Sequence, residues 1–198
     1  MIQRSELKKK AKAALKPKHW IAVGTDWLAG ATAGSVATAG FGLGIIFAPA
    51  LDFGLKSFYK ELVATKEAKF EKLFTDTLSG FWKKLGTAWV VVLYTFLWRL
   101  LFVIPGIVKS YSYAMTYYIM LDHPEMKINQ AITESRRMMN GYKWKLFVLD
   151  LSFIGWRLLG LIVPLGLLNI LYVNPYIAAT KAAFYEELKN ESYATVEE

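Results

Sequence analysis

The residues best placed to do chemistry are ionisable side chains set inside long apolar runs: Asp26, Asp52, Arg99, Asp150 and Arg157. A lone charge in hydrocarbon costs at least about 2.5 kcal/mol, so such a group pairs, reaches water or performs a function. Asp26, Asp52 and Asp150 fall within about two helical turns of the ends of their runs, where a bent side chain reaches water. Arg99 and Arg157 lie nearer the outer turns. Paired to a carboxylate, either one suits a gate or an ion path; unpaired, it suits an anchor in the outer headgroups. Near Arg99, a helical period places Gly106, Ser110, Tyr113, Thr116, Tyr117 and Met120 on one side. That stripe either lines a wet path or supplies interhelical hydrogen bonds, each contributing about 0.6 kcal/mol in lipid. Packing carries the greater weight, since nothing else marks a pore.

Enzyme templates are missing. The histidines are His19 and His123, far apart, and there is no His-Glu-x-x-His pair, phosphate-cradling glycine loop or Gly-x-Ser-x-Gly elbow. With no cysteine there is no disulfide framework, thiolate metal site or catalytic thiol. No catalytic residue, cofactor site or metal site is assigned, and the chain reads as a non-enzyme.

The elements that must position these groups are three apolar stretches, residues 20–59, 85–121 and 146–185. Each is close to twice the roughly 20 residues needed to cross a hydrocarbon core of about 30 Å. Two helices per stretch fit, because a reversal at the far interface meets water whereas an exposed break in mid-membrane does not. Turn residues stand near each midpoint: Gly40 and Gly42, Pro105 and Gly106, Pro164 and Gly166. The polar segments between the stretches are all rich in Lys and Arg, which marks cytoplasmic loops. Single spans would force basic segments to alternate sides. The spacing therefore predicts an all-α, polytopic membrane bundle of about six spans as three hairpins, with both termini cytoplasmic. Four longer, kinked spans are the alternative.

Composition fits one integral membrane domain over residues 1–198, too short for a separate catalytic domain beside six spans. The formal net charge of +8 sits in blocks flanking apolar runs. That placement matches anionic inner-leaflet headgroups as partner rather than nucleic acid. Trp20, Trp27, Trp82, Trp89, Trp144, Tyr172 and Tyr176 lie near proposed span ends, where amphipathic rings anchor. The basic start and the small residues 35–39 imitate a cleavable leader, but the basic region is long and Asp26 interrupts the apolar run, so retention is expected.

Two amphipathic segments lie outside the stretches. Within residues 1–18, Leu7, Ala11, Ala14 and Leu15 share one helical face, and Pro17 ends the pattern. Lys8, Lys9, Lys10 and Lys12 cover the rest, suited either to a lipid surface or only to fixing orientation. Residues 122–145 read as a cytoplasmic helix entered at Pro124 and stopped at Asn140 and Gly141, with Ile128, Ala131, Ile132, Ser135, Met138 and Met139 on its apolar side. That side is expected to dock on the protein's own bundle. In the first stretch, Gly30 with Gly34 and Gly40 with Gly44 form small-xxx-small pairs suited to close packing or a homo-oligomer seam.

Several motifs in order carry a resemblance: Ser5-Glu-Leu-Lys, LWRLLFVIPGIVKSYSYAM over 97–115, AITESRRMMNG over 131–141, WKLFVLDLSFIGW over 144–156, and the ending from Asn174-Pro-Tyr to Ala183-Phe-Tyr185. Together they resemble the bacterial integral membrane family known as domain of unknown function nine-seven-five. The resemblance implies a multi-pass protein of a bacterial cytoplasmic membrane and carries no activity or site residues with it. Two classes of function stay open. One is a non-enzymatic module that scaffolds, protects or modulates the envelope or a neighbouring transporter. The other is a small transporter or channel whose polar path is lined by the second and third hairpins.

Overall fold

The computed structural model describes residues 3–39, 43–101, 103–159 and 169–194, and every regular element among them is helical. In chain order these are α1 (Arg4–Leu15), a 3₁₀ turn (Lys16–Lys18), α2 (His19–Ala39), α3 (Leu43–Thr65), α4 (Lys72–Leu78), α5 (Phe81–Leu101) and α6 (Val103–Ser112). There follow α7 (Thr116–Asp122), α8 (Ile128–Met138), α9 (Lys143–Leu151), α10 (Ile154–Leu159), a π-helical turn (Asn169–Val173) and α11 (Asn174–Ala194). The turn residues Gly40, Gly42, Pro164 and Gly166 lie outside the described residues.

The molecule has a buried base and apolar arms. In the base, α3, α7, α8, α9 and α11 enclose Phe53, Phe58, Leu62, Met115, Ile119, Met120, Met139, Leu146, Leu149 and Phe184. The amphipathic α1 seals this core: Leu7, Ala11, Ala14 and Leu15 are all buried, with α11 as its main neighbour and α3 beside it. Its apolar face is spent on protein, and lysines are what it leaves outside. α8 behaves likewise, burying Ala131, Ile132 and Ser135. Its start is fixed by Gln130, whose side-chain oxygen accepts the Lys127 backbone N–H at 3.0 Å. It ends before Gly141 at φ +80°.

α5 and α6 form the best-described arm. The chain reverses between them, and the pairing of Trp98 with Lys109, whose ammonium lies 4.4 Å from the indole centre, shows that they run antiparallel. Pro105 and Gly106 sit inside the first turns of α6, after the reversal rather than in it. Pro costs nothing there, because the first amides of a helix have no intrahelical acceptor. Gly106 faces the backbone of Arg99 so closely that a Cβ would overlap the Arg99 Cα and amide. It sets the spacing of the two helices.

The return arm breaks at residues 113–115, between α6 and α7, and one side chain closes the break. Ser135 of α8 donates its hydroxyl to the Ser112 carbonyl at 2.8 Å and accepts the Met115 backbone N–H at 3.2 Å. Both groups lost their helical partners at the break, and leaving either buried and unpaired costs about 1–3 kcal/mol.

Apolar side chains that would fill a core elsewhere are exposed along the arms. On α5 and α6 these include Leu93, Phe96, Leu100 at 74 % exposure and Ile104 at 76 %, and on α10 Ile154, Trp156 and Leu158. Even so, among the described residues no helix is long and apolar enough to cross a membrane. The long helices carry their charges within them. α3 has Asp52, Lys56, Lys60 and Glu61, α11 has Lys181, Glu186, Glu187 and Lys189, and α5 runs from Lys83 and Lys84 to Arg99. α2, with 21 residues, carries Asp26 among many Gly, Ala and Thr, and several further segments are short: α6 has 10 residues, α7 7, α9 9 and α10 6.

Candidate functional site

Aspartates facing the base recur with the same company. Asp122, at the end of α7, accepts the Tyr185 hydroxyl at 2.7 Å and Lys189 Nζ at 2.8 Å on one oxygen, and its other oxygen pairs with Lys60. Tyr185 stacks on Tyr118 with ring centres 4.9 Å apart. Asp150 of α9 accepts Lys181 Nζ at 3.0 Å and the Tyr111 hydroxyl at 3.2 Å. Asp52 pairs with Lys56 one turn on at 3.4 Å, and the Lys56 ammonium lies 3.9 Å from the centre of the Tyr117 ring. Each set joins an acid, a lysine and a tyrosine, drawn from distant segments at Asp122 and Asp150 and from α3 and α7 at the more exposed Asp52, so charge is neutralised within the protein. Burial holds Lys60 below the ordinary lysine value despite the nearby carboxylates, and burial does the same to Lys84. Lys84 donates to the backbone carbonyl of Asp76, whose carboxylate accepts the Ser57 hydroxyl.

Asp26 breaks the pattern. The Tyr59 hydroxyl adjoins it, and no further described group completes a hydrogen bond to Asp26 Oδ2 or Tyr59 Oη, although both atoms are buried. No lysine or arginine pairs with Asp26 among the described residues, and residues 27–55 contain neither type.

Asp26 and Tyr59 lie in a cleft of about 730 Å³ between α2, α3 and α11, closed by Tyr118 of α7 and Arg157 of α10. Ala29, Gly30, Leu51, Leu55, Ile177 and Ala178 give it apolar walls, and Asp52, Lys56, Asn174 and Lys181 complete the polar part. The size and the mixture of apolar wall with a few convergent polar groups are those of a small-molecule site.

The residues singled out from the sequence are distributed unevenly around this cleft. Arg157 lines it, and Asp150 touches it through Lys181. Arg99 does not: it is exposed at the far end of α5, against Gly106. The Ser110, Tyr113 and Tyr117 stripe lines no path there either. Ser110 donates to its own helix at the Ile107 carbonyl, 2.7 Å away. Tyr113 is buried beside Tyr94, and Tyr117 is buried against Phe53 with ring centres 4.7 Å apart. Among the terminal lysines, Lys10 pairs with Glu187 at 2.8 Å and Lys8 lies 4.3 Å from the centre of the Phe153 ring, while Lys9 and Lys12 are exposed.

Sequence reasoning missed Tyr59, Tyr118 and Lys181. Only the Asp52–Lys56 pair carried a local signal, the i,i+4 spacing of opposite charges on a helix. Asp150 and Lys181 are 31 positions apart, and no periodicity links them.

A second depression of about 640 Å³ lies between α1 and α9, where Arg4, Lys8 and Lys145 surround Leu7, Trp144, Val148 and Phe184. No group of acidic, histidine or cysteine side chains able to hold a metal ion occurs among the described residues.

No curated protein and no solved structure matches the chain. One family model does, over residues 100–192, a stretch that begins beside Arg99 and takes in the α6–α7 break, Ser135, Asp122, Asp150, Arg157 and Lys181. Over those residues, a little under half of the chain, it is similar to the family described as protein of unknown function (DUF975).

Proposed function

We propose that the chain is a multi-pass protein of a bacterial cytoplasmic membrane, with about six spans as three hairpins and both termini inside. In this reading it is a non-enzymatic module that scaffolds, protects or modulates the envelope or a neighbouring transporter. One observation carries the proposal: large apolar side chains are exposed along the arms, whereas the ion pairs and most lysines gather in the base. Water would penalise such arms, and exposed apolar surface on this scale marks a lipid or protein contact. Lipid accepts the arms once their backbone is paired within helices. The exposed Lys9 and Lys12 and the depression beside Lys8 would then face anionic headgroups, each near-surface cation contributing about 1 kcal/mol.

Two measurements test this. Alkaline carbonate washing of membranes from expressing cells should leave the full chain in the pellet; release into the supernatant would overturn the reading. Because the natural chain has no cysteine, single cysteines at Gly42, Ile104 and Gly166 can be labelled without background, Ile104 standing 76 % exposed beside the reversal where Gly106 has no room for a side chain. Labelling by an impermeant reagent from outside is expected at all three, and protection at all three excludes the hairpins.

A second reading, a small transporter or channel, is favoured by the polar cleft. Its path would run between the first and third hairpins, since α2, α3, α10 and α11 line that cleft. It requires solute uptake by vesicles reconstituted with the chain and its loss in an Arg157→Gln variant.

A further inference from the structure

The charges of the cleft can be cancelled pair by pair. Lys56 is matched by Asp52, and Lys181 by Asp150. What remains is one carboxylate, Asp26, and one guanidinium, Arg157, which form no ion pair with each other or with any described residue. The two are lodged on different walls of one cavity, Asp26 on α2 and Arg157 on α10. Beside Asp26, Tyr59 is only 1 % exposed, and its hydroxyl has no described neighbour to bond other than that carboxylate. A part-buried carboxylate left with one hydroxyl and no cation is uncommon, because losing water without full replacement is costly. In the three other acid sites a lysine neutralises the carboxylate; Asp26 has no lysine beside it among the described residues, and Arg157 in the same lining is a surplus cation.

We propose that this cleft binds a small zwitterion, its ammonium group held by Asp26 and the Tyr59 hydroxyl and its anionic group held by Arg157. The ammonium completes the acid, tyrosine and amine set that the protein builds from its own lysines elsewhere. Arg157 suits the other end because its planar donors match carboxylate or phosphate oxygens. A free solute and the headgroup of an aminophospholipid share this chemistry.

The proposal goes beyond the membrane reading and fails separately from it, since binding is measured on purified protein whereas the membrane reading rests on extraction and labelling. Calorimetric titration of the full chain in neutral detergent with phosphoethanolamine is expected to give saturable binding. Ethanolamine and inorganic phosphate, each carrying one of the two charges, should bind at least about tenfold more weakly. Asp26→Asn and Arg157→Gln should each weaken phosphoethanolamine at least about tenfold while leaving the affinity for the charge they do not contact within about twofold. Tyr59→Phe should weaken the zwitterion and ethanolamine but not phosphate. Arg157 is exposed, so its variant keeps the test open if Asp26→Asn misfolds. In phosphatidylcholine vesicles, loss of phosphoethanolamine binding when phosphatidylethanolamine is added assigns the site to the lipid headgroup; unchanged binding assigns it to the free solute. Absence of saturable binding, or equal affinity in wild type and Arg157→Gln, overturns the proposal.

Discussion

The base and the α5–α6 arm are both built from helices, by opposite rules. In the base, aromatic and aliphatic side chains are buried on several faces, and aspartates sit among them only where a lysine or a tyrosine hydroxyl accompanies them. In the arm, one face of α5 is buried through Leu85, Ala88 and Val91, and the other presents Val92, Leu93, Phe96 and Leu100 outward. Side-chain hydrogen bonds to distant residues are dense in the first region, whereas in the second Ser110 bonds only within its own helix, at the Ile107 carbonyl. The difference teaches that the base gains its stability from internal pairing, and that the arm leaves its apolar surface for something outside the chain to cover.

That contrast can be broken by substitution. The largest effect is expected at Asp122, where Asp122→Ala removes the carboxylate shared by Lys60 and Lys189, whose side chains are only 20 % and 28 % exposed. Breaking a buried pair from one side costs about 3–5 kcal/mol, to be read as a lowered unfolding midpoint in detergent. Next is Ser135→Ala, which leaves the Ser112 carbonyl and the Met115 amide without partners and should cost about 1–3 kcal/mol. Hydrogen exchange should rise at Met115 in that variant and stay unchanged along α5. Lys10→Ala removes an ion pair whose side chains are both 40 % exposed, so a loss below about 1 kcal/mol is expected by thermal melt. The smallest effect belongs to the arm: Leu100→Ala in detergent should change stability by no more than about 0.5 kcal/mol. A core-sized loss at Leu100 would show that the arm is packed like the base and end the distinction.

Much of the helical framework was legible in the sequence because it rests on local periodicity. The face Leu7, Ala11, Ala14 and Leu15 predicts α1, and Ala131, Ile132 and Ser135 predict the docked side of α8. Both helices bury those residues. What the α1 pattern alone did not disclose is the substrate of its apolar face, since a lipid surface and a protein core ask for the same stripe. The reversal near Pro105 was displaced by a few residues for a physical reason: Pro is tolerated early in a helix as well as in a turn. The break at 113–115 left no mark, as neither Gly nor Pro occurs there, and its repair comes from a serine in another helix. The candidate site was less legible still. Asp26 and Arg157 stood out as charges in apolar runs, but the cleft joining them depends on long-range packing that a linear pattern does not encode.

The Ser135 hydroxyl has a mechanical consequence. Because it grips both sides of the gap between α6 and α7, the loop helix and the returning arm form one lever with its fulcrum at a single oxygen atom. A pull on the outer face of α8, as by a protein docking there, would be felt at that fulcrum before any apolar contact in the core had to yield. A push on the arm would reach α8 by the same route.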